Sequence, residues 1–257
     1  MFEQTAALPW LLPLAAAAVF VLAGLVKGVV GLGLPTIAMG LLALMMTPAH
    51  AAALLIIPSL VTNVWQVRPW RAALPLLRRL APMQGGVFAG TLAGAWLWGA
   101  PAGAWAMVSL GAALIAYALW GLSGMQVSVP AGRQGWMGPL VGAATGMVTA
   151  ATGVFVIPAV PYLQALNLGR DGLIQAMGTS FTVSTIALAA GLYMNARYDA
   201  AALGLSMLML LPALAGMQLG QALRQRLSPA VFRKCFLASL ALLGLHMIVY
   251  EGLVKAG

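Results

Sequence analysis

Charged residues are so rare in this chain that they leave long stretches without a single formal charge. The seven longest of these stretches hold 23, 40, 53, 36, 25, 24 and 16 residues. A helix that crosses the hydrocarbon core of a bilayer needs about 20 apolar residues. The stretches therefore hold about ten segments of that kind. With 7% charged and 62% hydrophobic residues, a soluble globular domain is excluded, since such domains carry about 25% charged residues.

The positions of the charges and of the glycine- and proline-rich turns divide the chain into ten predicted segments. Two of them are too short to cross a bilayer comfortably, and eight spans with two re-entrant segments would give the same charge pattern. The predicted fold class is an all-α polytopic membrane protein of eight to ten transmembrane helices. The segments are 6–28, 32–46, 49–67, 74–99, 103–123, 136–152, 154–166, 171–193, 200–221 and 230–253.

Several functional classes are disfavoured by what the chain contains. The formal charge of +9 comes from basic residues that stand between apolar runs, and not on a solvated face of the kind that binds nucleic acid. Cys235 is the single cysteine and no CxxC motif is present, so we expect no metal or other cofactor. No His/Asp/Glu cluster or HExxH motif occurs in the sequence, and we therefore do not expect an enzyme.

The two halves of the chain resemble each other in their glycine spacing. Gly24-x-x-x-Gly28 near the start is repeated as Gly142-x-x-x-Gly146 in the second half. Recurrence of a pattern at similar long intervals indicates an internal structural repeat.

Two further correspondences extend the repeat. They divide the chain into a first membrane repeat at 1–128 and a second at 129–257, with five segments each, which together form one integral membrane transporter domain. The corresponding stretches are 52–63 with 173–184 at an offset of 121 residues, and Gly86-x-x-x-Gly90 with Gly216-x-x-x-Gly220 at an offset of 130.

An odd number of spans in each repeat requires the second copy to cross the membrane in the opposite direction. The loop charges agree with this inverted topology, because Lys and Arg concentrate on the cytoplasmic side of membrane proteins. With both chain ends outside, eleven basic residues fall inside and two fall outside. Met1 to Ala7 contains Glu3 and no basic residue, so a signal peptide is not indicated and we expect an uncleaved first helix.

Each repeat is interrupted at the same place by glycine and proline. The interruptions are "GLVKGVVGLGLP" at 24–35 and "GAATGMVTAATGVFVIP" at 142–158. Glycine weakens a helix and proline removes a backbone donor. Unpaired backbone is tolerated in a bilayer only where it lines protein or a wet cavity. Inverted repeats with broken or re-entrant helices are typical of secondary transporters that bind substrate near the midplane.

These glycine-rich turns resemble the signature of the TauE/SafE family, the sulfite exporter or toluene-sulfonate uptake permease group. The resemblance covers nearly the whole chain and includes "GVFVIP" at 153–158, "AMGTSF" at 176–181 and "LLPALAGMQLGQAL" at 210–223. It implies a transporter of small anions such as sulfite, sulfonates or sulfoacetate. The chain departs from the family's run of consecutive glycines, with Gly31-Leu32-Gly33 in one half and Thr152-Gly153 in the other.

Opened helices offer an oxyanion backbone N–H groups and a positive dipole end. Hydroxyl and amide side chains near the breaks could complete such a site, and Lys27 could act as its cation. Two simpler interpretations stay open: small and hydroxyl residues also let helices pack closely, and Lys27 could extend its ammonium to the inner surface. The predicted substrate-binding residues are Lys27, Gly28, Gly31, Gly33, Ser59, Asn63, Thr149, Thr152, Gly153, Ser180 and Ser184.

The sequence thus predicts a multi-pass protein of the cytoplasmic (inner) membrane that moves a small anion by alternating access. Export is preferred, because an inside-negative potential drives a monovalent anion outward without a coupling ion. The alternatives are an anion channel and an uptake permease for another small carboxylate or sulfonate. A purely structural subunit would leave the two matched breaks unexplained. The expected partners are the anion and the lipid bilayer, with no nucleic acid, and a homodimer stays open.

Overall fold

The structure is a computed structural model that describes residues 10–125, 127–224, 226 and 228–254. These residues form α-helices and no strand, and a π-helical turn at Tyr250–Val254 follows the last helix. The helices are α1 (Leu11–Val30), α2 (Leu34–Leu42), α3 (Pro48–Gln66), α4 (Trp70–Trp98), α5 (Gly103–Ser123), α6 (Ala131–Thr152), α7 (Ala159–Ala165), α8 (Gly169–Met194), α9 (Ala200–Leu223) and α10 (Pro229–Val249).

The predicted all-helical, polytopic class is confirmed, and each of the ten predicted segments overlaps one helix. Residues 6–9 of the first segment lie outside the described residues. Within the described part, six helices are long and apolar enough to cross a membrane: α1, α3, α5, α8, α9 and α10.

The prediction for 154–166 is wrong at its start, because helix α7 begins only at Ala159. Gly153 turns the chain with a φ of +68°, and Pro158 has no N–H with which to extend a helix backwards. The short helices α2 and α7 have nine and seven residues. At a rise of 1.5 Å per residue they are roughly 13 and 10 Å long, so neither crosses a hydrocarbon core of about 30 Å by itself.

One close helix crossing joins α1 to α9 through glycines on both helices. A Cβ on Gly24 would collide with the Ala213 carbonyl, and a Cβ on Gly28 would collide with the Met217 carbonyl. In the other direction, a Cβ on Gly216 would overlap the Val21 carbonyl. Small residues at four-residue spacing permit this close backbone approach.

The second crossing, between α4 and α6, is built in the same way. Gly86 and Gly90 of α4 face the backbone of Pro139 and Ala143, and Gly142 of α6 faces that of Met83. These small-residue faces therefore pack within one chain.

The helix order repeats after five helices. In each half a long helix is followed by a short one of nine or seven residues and then by three long ones. Helices α1 and α3 of the first half both contact α9 of the second half. Their counterparts α6 and α8 both contact α4 of the first half, and α5 packs on α10. This pairing is what two related repeats require. The division at 128 and the inversion of the second half remain predictions.

We expect Gly216→Ala to destabilise the protein, because its methyl group would enter the α1 backbone at the crossing. Overpacking of this kind costs about 1–3 kcal/mol. Gly204→Ala is the matched control in the same helix, since no heavy atom lies within 4 Å of its new Cβ. A helical Gly→Ala change without a clash should gain about 0.5–1 kcal/mol. Thermal unfolding in detergent measures both, and equal melting temperatures would contradict the packing described here.

The basic starts of three helices lie together at one end of the bundle. The Arg79 guanidinium donates from Nε and Nη2 to Gln134 Oε1 at 3.1 and 2.7 Å, which joins the start of α4 to the start of α6. Gln175 of α8 donates to the Arg68 carbonyl at 3.3 Å. This grouping agrees with the placement of these loops on one side of the membrane.

Candidate functional site

A lysine lies in the interior of the helix bundle. Lys27, in the last turn of α1, is 3% exposed. Its Nζ donates to Thr62 Oγ1 at 3.0 Å and to Asn63 Oδ1, both on α3. No Asp or Glu of the described residues is bonded to it, so its acceptors are neutral oxygens. The interpretation in which Lys27 extends to the inner surface is therefore wrong.

Polar side chains on one face of α3 build the wall opposite Lys27. Ser59, Thr62, Asn63 and Gln66 recur at intervals of three and four residues, which places them on one side of a helix. Asn63 Nδ2 donates to Ser59 Oγ at 3.0 Å. The Thr62 hydroxyl donates to the Pro58 carbonyl at 2.7 Å, so its oxygen is left to accept from Lys27.

Helix α8 closes the site from the other half of the chain. The hydroxyls of Ser59 and Thr185 share a hydrogen bond of 3.2 Å. Further along, a Cβ on Gly178 would lie 3.0 Å from the Asn63 carbonyl and 2.9 Å from Gln66 Cβ. Thr185, late in α8, contacts Ser59, and Gly178, earlier in α8, contacts the next two turns of α3. The two helices therefore run antiparallel.

Two buried hydroxyls on this part of α8 lack a hydrogen-bond partner. Ser180 and Ser184 are both 0% exposed, and neither Oγ has a partner within the described structure. They are four residues apart and so lie on one face of the helix. Buried polar groups are nearly always hydrogen-bonded in proteins, so each is a donor available to a ligand.

The first glycine break is tied to the same wall. Gly31 ends α1 with a φ of +85°, and its N–H donates to the Lys27 carbonyl at 2.8 Å. Gln66 Nε2 donates to the Gly31 carbonyl, and Gln66 Oε1 is buried without a partner. Gly33, with a φ of +111°, precedes the first residue of α2. The break therefore presents glycine backbone next to the Lys27 turn.

The second break begins with the same left-handed glycine at the helix end and has a different side-chain chemistry. The N–H of Gly153 donates to the Thr149 carbonyl at 2.7 Å, as that of Gly31 does to Lys27. Thr149 thus stands where the first half has a cation. Its hydroxyl donates to the Thr145 carbonyl at 2.8 Å, and Thr152 Oγ1 donates to the Val148 carbonyl at 2.7 Å.

The structure brings part of the predicted set together. Lys27, Ser59 and Asn63 form one hydrogen-bonded group, whereas Ser180 and Ser184 lie on a different face of α8 from Thr185 and Gly178, which meet α3. Gly28 instead lies at the α1–α9 crossing, and a Cβ on Gly153 would lie 2.8 Å from Met39 Cε of α2. No hydrogen bond between described side chains joins Thr149, Thr152 or Gly153 to Lys27.

Three contributors to this site were not among the predicted residues. Thr62 and Gln66 share the α3 face with Ser59, and their spacing of three and seven residues from it could have identified them. Thr185 carries no such signal, because a threonine in a membrane helix equally serves packing, and only the course of α8 places it beside Ser59.

Comparison with known proteins gives a family match over most of the chain. No curated protein and no solved structure matches the chain. The family model "Sulfite exporter TauE/SafE" matches residues 16–247 of the 257-residue chain. That range contains every residue of the Lys27 site and both glycine breaks. The chain belongs to the TauE/SafE sulfite exporter family, whose members are multi-pass membrane transporters of sulfite or sulfonate-type anions.

Proposed function

We propose that this protein is a secondary transporter that exports a small sulfur-containing anion, of the sulfite, sulfonate or sulfoacetate type, by alternating access. The observation that carries the proposal is the buried Lys27 ammonium, whose acceptors among the described residues are the neutral oxygens of Thr62 and Asn63. A buried charge without a counter-ion is unfavourable. An anion that enters the site would therefore gain a charge-assisted contact and relieve this cost at once.

The hydrogen-bond donors proposed for this site suit the acceptor oxygens of a sulfonate or sulfite group. Such a group presents several acceptor oxygens, while Lys27 has three N–H donors, two of which bond Thr62 and Asn63. Ser180 and Ser184 offer hydroxyls that are buried and unpaired, and the glycine breaks at Gly31, Gly33 and Gly153 would add backbone N–H groups on a helix rearrangement. Thr149 and Thr152 would serve the same site from the second break.

Alternating access is supported by the relation between the two halves. Helices α3 and α8 occupy the third position of their five-helix sets and run antiparallel past each other, as inverted repeats require. The two glycine-built crossings, α1 with α9 and α4 with α6, each join one helix from each half. Rocking of repeat 1–128 against repeat 129–257 about the α3–α8 contact would expose the Lys27 site to either side in turn.

Export follows from the electrostatics of the bilayer. A potential of 100 mV, negative inside, favours outward movement of a monovalent anion by about 2.3 kcal/mol. This gradient suffices without a coupling ion and without catalytic chemistry, which supports outward transport across the cytoplasmic membrane. An uptake permease or an anion channel would use the same donors.

The test is transport and binding by the purified protein in proteoliposomes. We expect saturable flux of one or more of sulfite, sulfoacetate, taurine and an aryl sulfonate, accelerated by the same anion on the opposite side. The transported anion should also raise the melting temperature, because it binds only the folded state. A channel would give flux without acceleration from the opposite side. If none of the four anions moves or stabilises the protein, the proposal is wrong.

A further inference from the structure

Helix α3 contains a proline one residue before the anion site. Pro58 lies inside the helix and is buried. Because proline has no N–H, the Leu54 carbonyl one turn earlier lacks its ordinary intrahelical donor. An unpaired backbone group is especially unfavourable within a bilayer, where no water replaces the missing partner.

A single hydroxyl from α9 supplies this missing donor. Ser206 Oγ donates to the Leu54 carbonyl at 2.8 Å and accepts from the Ile57 N–H at 3.0 Å. Ser206 is 0% exposed and is the only hydroxyl residue in the apolar stretch 202–211 of α9. Its one hydrogen and one of its lone pairs are thus both used on the backbone of α3.

Helix α9 also packs against α1, the helix on the other side of the site. Through Gly216 and Gly220, α9 packs directly on the α1 backbone at Val21 and Leu25, below the turn that carries Lys27. Helix α9 therefore contacts α1, which carries the Lys27 ammonium, and, through Ser206, α3, which carries the acceptors of that ammonium. The separation between Lys27 and Asn63 depends on these two contacts.

We infer that Ser206 is a positioning residue for anion binding, which fixes the α3 backbone around Pro58 and so the distance of Ser59, Thr62 and Asn63 from Lys27. Ser206 touches no proposed ligand group, and the two hydrogen bonds by which it acts go to the α3 backbone. The Tyr198 hydroxyl also lies beside it. The inference rests on the proposed function for the role of the Lys27 site in anion binding. The claim that Ser206 and Pro58 act as a unit stands apart from it and is tested separately below.

The experiment is a double-mutant cycle with Ser206→Ala and Pro58→Ala. Ser206→Ala alone should lower the melting temperature by about 5 °C, because it leaves buried backbone groups unpaired. It should also raise the half-saturation concentration for the transported anion by about tenfold, since small displacements of binding groups are costly.

In the Pro58→Ala background the restored N–H pairs with Leu54, so Ser206→Ala should then shift the melting temperature by less than about 2 °C. Ser239→Ala is the control, because that hydroxyl bonds only the Phe236 carbonyl of its own helix at 2.7 Å.

The outcomes separate the two claims. Equal melting-temperature shifts in the two backgrounds would overturn the coupling of Ser206 to Pro58. A normal half-saturation concentration in a destabilised Ser206→Ala protein would overturn the positioning role. If Ser206→Ala does not accumulate while the double variant does, the coupling is supported; if neither accumulates, it is refuted. Absence of transport in the unmodified protein would refute the proposed function, while the melting cycle would still decide the coupling.

Discussion

Replacing Lys27 by Met should weaken anion binding by on the order of 100-fold and abolish saturable transport at low substrate concentration. Loss of one partner from a buried, hydrogen-bonded charge pair costs about 2–5 kcal/mol, and each 1.4 kcal/mol is a factor of ten in affinity. Met retains the length of the lysine stem, so the space between α1 and α3 stays filled. The measurement is the dissociation constant by thermal shift together with flux in proteoliposomes.

The unliganded Lys27→Met protein should be at least as stable as the unmodified protein. Its methionine removes a buried charge that no carboxylate among the described residues compensates, and an apolar replacement of such a group is often neutral or stabilising. Lys234→Met is the matched control, because Lys234 is exposed at the start of α10 and should retain normal binding. If Lys27→Met binds the anion with unchanged affinity, Lys27 is not part of the site.

Replacing Asn63 by Asp should also abolish anion binding, for the opposite electrostatic reason. The new carboxylate would occupy the position of the Asn63 oxygen that already accepts from Lys27 Nζ. It would neutralise the ammonium from within the protein and repel an incoming anion. We expect an affinity loss on the order of 100-fold, similar to that of Lys27→Met, with a raised melting temperature in the absence of substrate because the buried lysine gains a counter-ion.

The variant Asn63→Leu distinguishes the effect of adding a negative charge from the effect of losing the Asn63 amide. Leu has a similar volume and cannot hydrogen-bond, so this variant removes the contacts with Lys27 and Ser59 without supplying a negative charge. We expect a lower melting temperature and a smaller affinity loss than for Asn63→Asp. Equal affinity losses in the two variants would show that the amide itself, and not the charge balance of the site, decides binding.

Much of the architecture could be predicted from the sequence because its causes are local. The spacing of charges and the length of apolar runs located ten segments, and all ten overlap a helix. The break at Gly31 was visible as glycine spacing, since a residue that must adopt positive φ at a helix end is usually glycine. The break at 153–158 was identified, yet its extended part was predicted as helix, because an apolar run alone does not distinguish the two conformations.

The tertiary structure decided which residues act together, because side-chain partners in this fold come from helices distant in sequence. From the sequence, Lys27 could be either an inner-surface anchor or a buried cation. The choice depends on the position of α3, whose Thr62 lies 35 residues further along the chain and contacts Lys27. Likewise, Ser206 is an unremarkable residue of an apolar helix until its hydroxyl is found at Leu54, 152 residues away. Apolar length and glycine spacing determine where a membrane chain is helical and where it breaks. Only the packing of the helices determines which buried polar groups satisfy one another and which are left for a ligand.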